Sequence, residues 1–470
     1  MNFKVQLVIY FIFFFSLPIE AKIWYVVQGS SIPDPKTASN LAQNGDTIDI
    51  AYNVAPYLAY ETKWPQNNLL IRGSGAGRPV LRAELFSVTQ KAIFVTQGNN
   101  IVIENIVFEN CKVPDVNGAG IRVEGTNLTV RNCVFTKNEM GILAGDNPES
   151  EILVEQCEFA FNGYGDGYSH NIYINHVKNL VFRYNYSHDS KIGHLVKSRA
   201  YNNYILYNRL DSPSNGTPSR EIDLPNGGIA IIIGNIIRQT ELSENSNIIG
   251  YGLEGLSNPA PHDICMVNNT LVNQKTNGSF VHVQSGTNLL RLINNIFSGG
   301  GSMLNGTPIV LDTISNFRSF NIAKTGFIDA QNLNFRLSDT SWAINHGTDP
   351  GLYSNNSLIA SFEYVDDADY KERMFIDKID IGAFESDIST SLINNTNDKE
   401  LFRIIGNCIH NFDSQLPINI LIYSALGILK RSSRLDYLEE LCLNDFDAGI
   451  YFISFELNEK LIKTIKFIKN

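Results

Sequence analysis

Between Gly163 and Glu254 the chain concentrates the side chains that can move protons or hold charge. The stretch opens with Gly165-Asp166-Gly167-Tyr168-Ser169-His170-Asn171 and Ser187-His188-Asp189-Ser190-Lys191-Ile192-Gly193-His194. It runs on through Lys197-Ser198-Arg199 and Ser219-Arg220-Glu221-Ile222-Asp223 to Tyr251-Gly252-Leu253-Glu254. One chemistry these residues suit is β-elimination, in which a proton leaves beside a carboxylate and the neighbouring oxygen departs. That needs a base, a cation to neutralise the carboxylate and a donor for the leaving oxygen. Lys197 is the candidate base, its proton loosened by the like charges of Arg199 and Arg220. One of those arginines serves as acid or neutraliser, and Asn171, His194, Arg199 and Glu254 are candidate substrate contacts. The other chemistry is hydrolysis by a carboxylate pair, Glu221 as acid and Asp223 as base. Two residues apart on one strand face, their Cα atoms would be separated by roughly 7 Å, which leaves room for the water of an inverting reaction.

The elements that must position these groups announce themselves by repetition. Short β-rich stretches recur with an Asn at one place: Val102-Ile103-Glu104-Asn105, Thr129-Val130-Arg131-Asn132, Phe182-Arg183-Tyr184-Asn185, Ile205-Leu206-Tyr207-Asn208, Ile232-Ile233-Gly234-Asn235, Met266-Val267-Asn268-Asn269 and Leu292-Ile293-Asn294-Asn295. Gln156 fills the missing rung. Fixed turns with excursions of varying length are the mark of a solenoid whose coils stack and bury their inward side chains on one another. Alternation such as Val102 to Glu104 suits strands, and no sustained helical period appears. The expected fold is therefore all-β, a right-handed parallel β-helix, with the ladder residues structural.

Register follows from that ladder. Asn171, His194 and Glu221 each stand fourteen residues before Asn185, Asn208 and Asn235, so turns of equal length would align them in one column. Ile222 and Leu224 would then point inward, with Glu221 and Asp223 together on the solvent face. Lys197 falls in the register of Leu224, inward unless the strand is bulged. Two bland readings stand beside the catalytic ones: a solvated acidic face, or an ion-pair ladder of Lys197 and Arg199 with Glu221 and Asp223. A surface adhesin would instead use Tyr164, Tyr168, Tyr173, Tyr184 and Tyr251 as stacking platforms for sugar rings.

Both ends of the repeat carry a resemblance. Trp24-Tyr25-Val26-Val27 followed by Leu41-Ala42-Gln43-Asn44-Gly45-Asp46-Thr47-Ile48 resembles the start of many secreted right-handed β-helix proteins. Phe327-Ile328-Asp329-Ala330, Ala343-Ile344-Asn345-His346-Gly347 and Asp380-Ile381-Gly382-Ala383-Phe384-Glu385 resemble the far end of bacterial carbohydrate-active β-helices. Lys197-Ser198 ahead of Asn203-Tyr204 and Tyr207-Asn208 is similar to the base-bearing coil of β-helix alginate and chondroitin lyases. Those enzymes carry an Arg on the next coil; here Arg220 lies near that place, and Pro225 holds the closer equivalent. The Glu-x-Asp pair is similar to that of carrageenan-hydrolysing β-helix enzymes. The resemblance implies an enzyme that cuts an extracellular polysaccharide, a lyase ahead of a hydrolase, with the non-catalytic adhesin third.

The flanks complete the organisation. Met1-Asn2-Phe3-Lys4 and the apolar run Leu7 to Leu17 read as a signal peptide cleaved after Ala21, too short to anchor the chain in a bilayer. Residues 22–386 are the β-helix, 387–399 a polar linker, and 400–470 a small β-sandwich. Ile418-Asn419-Ile420-Leu421-Ile422-Tyr423, Ala448-Gly449-Ile450-Tyr451 and the basic finish Lys463-Thr464-Ile465-Lys466 are similar to the type IX secretion sorting domain of Bacteroidetes. The resemblance implies a secreted or cell-surface protein, handled by type IX secretion machinery. A net charge of -11 speaks against nucleic acid as a partner; membrane insertion is not expected, and a monomer is. Of six cysteines, Cys133 and Cys157 occupy equivalent repeat positions and are expected to stack as small buried apolar groups. Cys408 and Cys442 are the better disulfide candidates. No metal or cofactor is assigned; Asp366, Asp367 and Asp369 leave calcium open but read first as an acidic loop.

Overall fold

Short strands of β-branched and aromatic residues, punctuated by residues able to turn, cannot bury a face alone and so stack. The computed structural model describes residues 21–84, 87–374 and 378–386, with parts of 402–469. Residues 1–20, within the stretch read as a signal peptide, and the expected 387–399 linker lie outside the described residues. The chain divides into two compact units, residues 1–387 and 388–470.

The first unit is a parallel β-solenoid of three sheets with 12, 10 and 11 strands, here called A, C and B. Each coil adds one strand to each, in the order A, B, C. Inward columns run unbroken through the stack. In sheet A, Ile103, Val130, Val154, Phe182, Ile205, Ile232, Met266 and Leu292 are successive partners, all fully buried. In sheet B, Phe108, Phe135 and Phe159 stack with ring centroids 5.1 and 4.8 Å apart. Each such side chain contributes about 1.5–3 kcal/mol by leaving water, so the core is spread evenly along the axis. No helix among the described residues is long and apolar enough to cross a membrane.

The recurrent Asn proves to be two positions, one residue apart. The turn from A to B needs a left-handed residue, supplied by Asn105 (φ 59), Asn132 (φ 50), Gln156 (φ 53), Tyr184 (φ 58), Tyr207 (φ 55) and Gly234 (φ 69). The next residue points inward: Ile106, Cys133 and Cys157 in early coils, then Asn185, Asn208, Asn235, Asn269 and Asn295, all fully buried. In these later coils each Nδ2 donates to the next amide's Oδ1, at 3.1, 2.9, 2.9 and 2.9 Å up to Asn295. Asn105, Asn132 and Gln156 are therefore turn residues rather than rungs. Asn serves both places, because it tolerates left-handed backbone and its amide both gives and accepts. Cys133 and Cys157 are free, buried and adjacent in the inward column.

Past residue 319 the chain returns over the outside of the solenoid. Asn268 Nδ2 donates to Asp380 O at 2.8 Å, and Ala383 N–H to Thr270 Oγ1 at 2.9 Å. Leu358, Ala360 and Phe362 pack with Ile231 on sheet A and with Tyr184 and Tyr207 at the turns that follow it. The second unit holds a three-stranded and a four-stranded antiparallel sheet, sharing a core of Ile409, Ile420, Ile422, Ile453 and Phe455. Cys408 and Cys442, paired across two strands, form a disulfide.

Candidate functional site

Strands Ile172–Ile174, Val196–Ser198, Ile222–Leu224, Asn247–Tyr251 and Ser279–Val283 are neighbours in sheet C. Their register puts Tyr173, Lys197, Asp223, Gly250 and His282 in one column. Ile222 and Leu224 are buried, as expected. Lys197 pairs with Asp223, not with Leu224, and points outward without a bulge. The reason is arithmetic: Tyr173 and Asp223 stand twelve residues before Asn185 and Asn235, but Lys197 stands eleven before Asn208. That coil is one residue shorter, so the equal-turn alignment slips there.

With the register corrected, His194 aligns with Arg220 and His170, while Asn171, Leu195 and Glu221 form a separate column. The two imidazoles stack, centroids 4.9 Å apart. His170 Nδ1 accepts the backbone N–H of His194 at 3.0 Å, and His194 Nδ1 accepts that of Arg220 at 3.1 Å. A backbone N–H can only donate, so each neutral ring carries its proton on Nε2. Burial, then the charges of Lys197 and Arg220, holds His194 well below the ordinary histidine range. His170 is likewise lowered by burial and by His194.

Asp223 is the hub. It is 2% exposed and meets Arg220 Nη1 at 3.0 Å, Lys197 Nζ at 3.4 Å and His194 Nε2 at 3.4 Å. Burial raises its carboxyl above the usual range, with Lys197 and Arg220 pulling the other way. Gly250 makes this packing feasible: a Cβ there would sit 3.0 Å from Asp223 Oδ1 and 3.1 Å from Arg220 Nε.

Beside the hub, Lys197 Nζ reaches Glu254 Oε1 at 3.0 Å, and Arg199 Nη2 reaches Glu254 Oε2 at 2.6 Å. Arg199 Nε donates to Tyr173 Oη at 2.9 Å, and Nη1 to Asn226 Oδ1. Glu254 stays below the usual carboxylate range: burial opposes ionisation, but the hydrogen bonds from Arg199 and Lys197 outweigh it. Lys197, Arg199, Arg220, Asp223, His194 and Glu254 thus form one cluster. Tyr173, expected only as a stacking platform, and Asn226 belong to it too. Their membership was hidden because it depends on Arg199, one coil away.

Two expected members do not join. Glu221 is fully buried at the corner before its strand, where alternation no longer sends it outward. Its carboxylate accepts from Gln239 Nε2 at 3.1 Å and Ser243 Oγ at 3.2 Å, and burial pushes it up to about 8. The solvent-facing pair with Asp223 does not form. Asn171 is also fully buried. It accepts from Asn162 Nδ2 and donates to Ser187 Oγ and Phe159 O, continuing a second, short amide ladder from Asn138.

Of the proposed platforms, Tyr164 and Tyr168 are exposed, while Tyr184 and Tyr251 are buried. Asp366 pairs with Arg209, and Asp369 Oδ1 accepts from Gln156. Among the described residues the one group with metal-ligand spacing is Cys408, Glu440 and Cys442, whose sulfurs are joined to each other. A cavity of about 1290 Å³ lies away from the cluster and is lined by Arg238, Asn273, Lys275, Phe320 and Ile328 among others. It gathers no comparable set of titratable groups.

Fold and cluster together define a parallel β-solenoid with a charge-rich site on the outward face of one sheet. No family model and no curated protein matches the chain. Among solved structures it is similar to ORF18 of Geobacillus virus E2, at 10% identity and a TM-score of 0.41, over 93% of this chain and 72% of that one. That likeness is too slight to carry an argument.

Proposed function

We propose that this protein is exported and cuts a uronate-containing polysaccharide by β-elimination on the outward face of sheet C. The observation that carries the reading is the reach of Arg199. Its Nη2 holds a carboxylate, while its Nε meets the Tyr173 hydroxyl at 2.9 Å. In β-elimination the proton removed is on the carbon next to the carboxylate, so the neutralising cation and the base must be neighbours. Arg199 makes them neighbours. Lys197, between Asp223 and Glu254, contributes charge to hold the carboxylate, and Tyr173 becomes the proton-transfer group in place of Lys197. Export is supported by the apolar leader and by the Cys408–Cys442 disulfide, which belongs in an oxidising compartment. The second unit is the candidate sorting tail.

A second reading, glycan binding without turnover, is favoured by one feature: the cations of the cluster are already paired with Asp223 and Glu254. One assay separates the two. The purified protein is offered alginate, polygalacturonate, chondroitin and neutral galactan, following ultraviolet absorbance of unsaturated ends together with new reducing ends. Both signals rising together, and lost in Tyr173→Phe, support elimination. Reducing ends without absorbance rule it out, and binding without either signal selects the second reading.

A further inference from the structure

Most of the cluster is enclosed: Asp223, His170 and His194 are buried, and the side chains of Lys197, Arg199 and Arg220 are 12, 17 and 18% exposed. Glu254 is the exception, its side chain 46% exposed. It projects from the turn after strand Asn247–Tyr251, between Gly252 (φ 72) and Gly255 (φ 106). Backbone bonds hold that turn, Glu254 N–H to Pro225 O at 3.0 Å and Gly255 N–H to Gly252 O at 2.9 Å. From there the carboxylate lays one oxygen on Lys197 and the other on Arg199. Nothing in the fold requires this of Glu254, whose side chain packs into no core. What it satisfies is a pair of cations spaced for the two oxygens of one carboxylate.

We infer that Lys197 and Arg199 form a subsite for the carboxylate of a sugar acid, and that Glu254 is its built-in occupant, displaced when a polymer uronate binds. This rests on the reading of the sheet-C face as uronate-recognising. The occupant keeps two half-buried cations satisfied in the free protein. It also sets a threshold: a neutral sugar gains nothing by displacing it, so the residue selects for acidic polymers.

The test uses the full chain in affinity electrophoresis through gels containing alginate, polygalacturonate, chondroitin or neutral galactan. Wild type is compared with Glu254→Gln, with Glu254→Gln/Arg199→Ala, and with Glu149→Gln, which removes an equal charge from an exposed site elsewhere. Losing the competitor should tighten binding of at least one acidic polymer by about ten-fold, an ordinary size for coupling between two ligands. The gain should be absent on galactan and in Glu149→Gln, and should vanish in the double variant. Equal binding by wild type and Glu254→Gln, an equal gain in Glu149→Gln, or no acidic polymer bound by either protein overturns the inference. Unsaturated ends from wild type with no gain in Glu254→Gln would leave the elimination reading standing and remove the occupant. A gain in Glu254→Gln without unsaturated ends from either protein would do the reverse.

Discussion

At the asparagine corner each later coil, from Asn185 to Asn295, repeats its neighbour: a left-handed residue, then a buried amide that gives one hydrogen to the coil behind and one to the coil ahead. Asn235 Nδ2 donates to Ile205 O and to Asn269 Oδ1, at 2.8 and 2.9 Å. On the outward face of sheet C the same stacking places Tyr173, Lys197, Asp223, Gly250 and His282 at one equivalent position. The corner uses repetition to satisfy every polar group with neutral partners. The face uses it to bring unlike groups within reach. Polar stacking stabilises where the groups are identical and saturated; where they differ, it gathers opposite charges into one cluster.

That contrast can be broken in four ways, from the largest effect to the smallest. Tyr173→Phe should lower turnover on a responsive uronate polymer by about a hundred- to a thousand-fold, the usual worth of a positioned proton-transfer group, with no change in melting temperature. A large loss of stability would instead place Tyr173 with the ladder. Asn235→Ala should do the opposite. It strands the Ile205 carbonyl and the Asn208 amide in the core, at about 3 kcal/mol, read as a lower midpoint in chemical denaturation.

Glu221→Gln probes a polar group that belongs to neither region. Its folded-state value of about 8 lies above the ~4.3 of an unfolded chain, so the folded protein keeps this proton after the unfolded chain has lost it. Stability from this group is full below about pH 4 and declines until about pH 8. The Gln variant stays neutral throughout, and Gln239 Oε1, buried without a partner, can turn to accept its amide. Its melting temperature should match wild type near pH 4 and exceed it by several degrees near pH 8. Parallel curves would show that Glu221 does not titrate in this window. Gly250→Ala should have the mildest effect, about 1 kcal/mol of strain as Arg220 and Asp223 give way, with a modest rise in KM and little change in kcat.

How much of this was legible differs between the same two regions. The solenoid was readable because its turns recur, and the cluster because polar residues crowd between Gly163 and Glu254. The identity of the rungs was blurred, since Asn suits both the left-handed turn and the inward position beside it. The column through Lys197 slipped for want of a single residue, which no count from the ladder could reveal. Glu221 looked outward because strand alternation was extended across a corner, where it does not hold. Tyr173 was seen as an aromatic surface because its hydroxyl finds its partner only on the neighbouring coil.

The unequal coil lengths have a consequence of another kind. Because every coil returns to the same corner before starting again, a residue gained or lost on the way from sheet C alters that rung alone. The coil of Lys197 is one residue shorter on that path, and the inward columns run past it undisturbed. Inheritance can therefore revise what the molecule grips one storey at a time, while the building stays up.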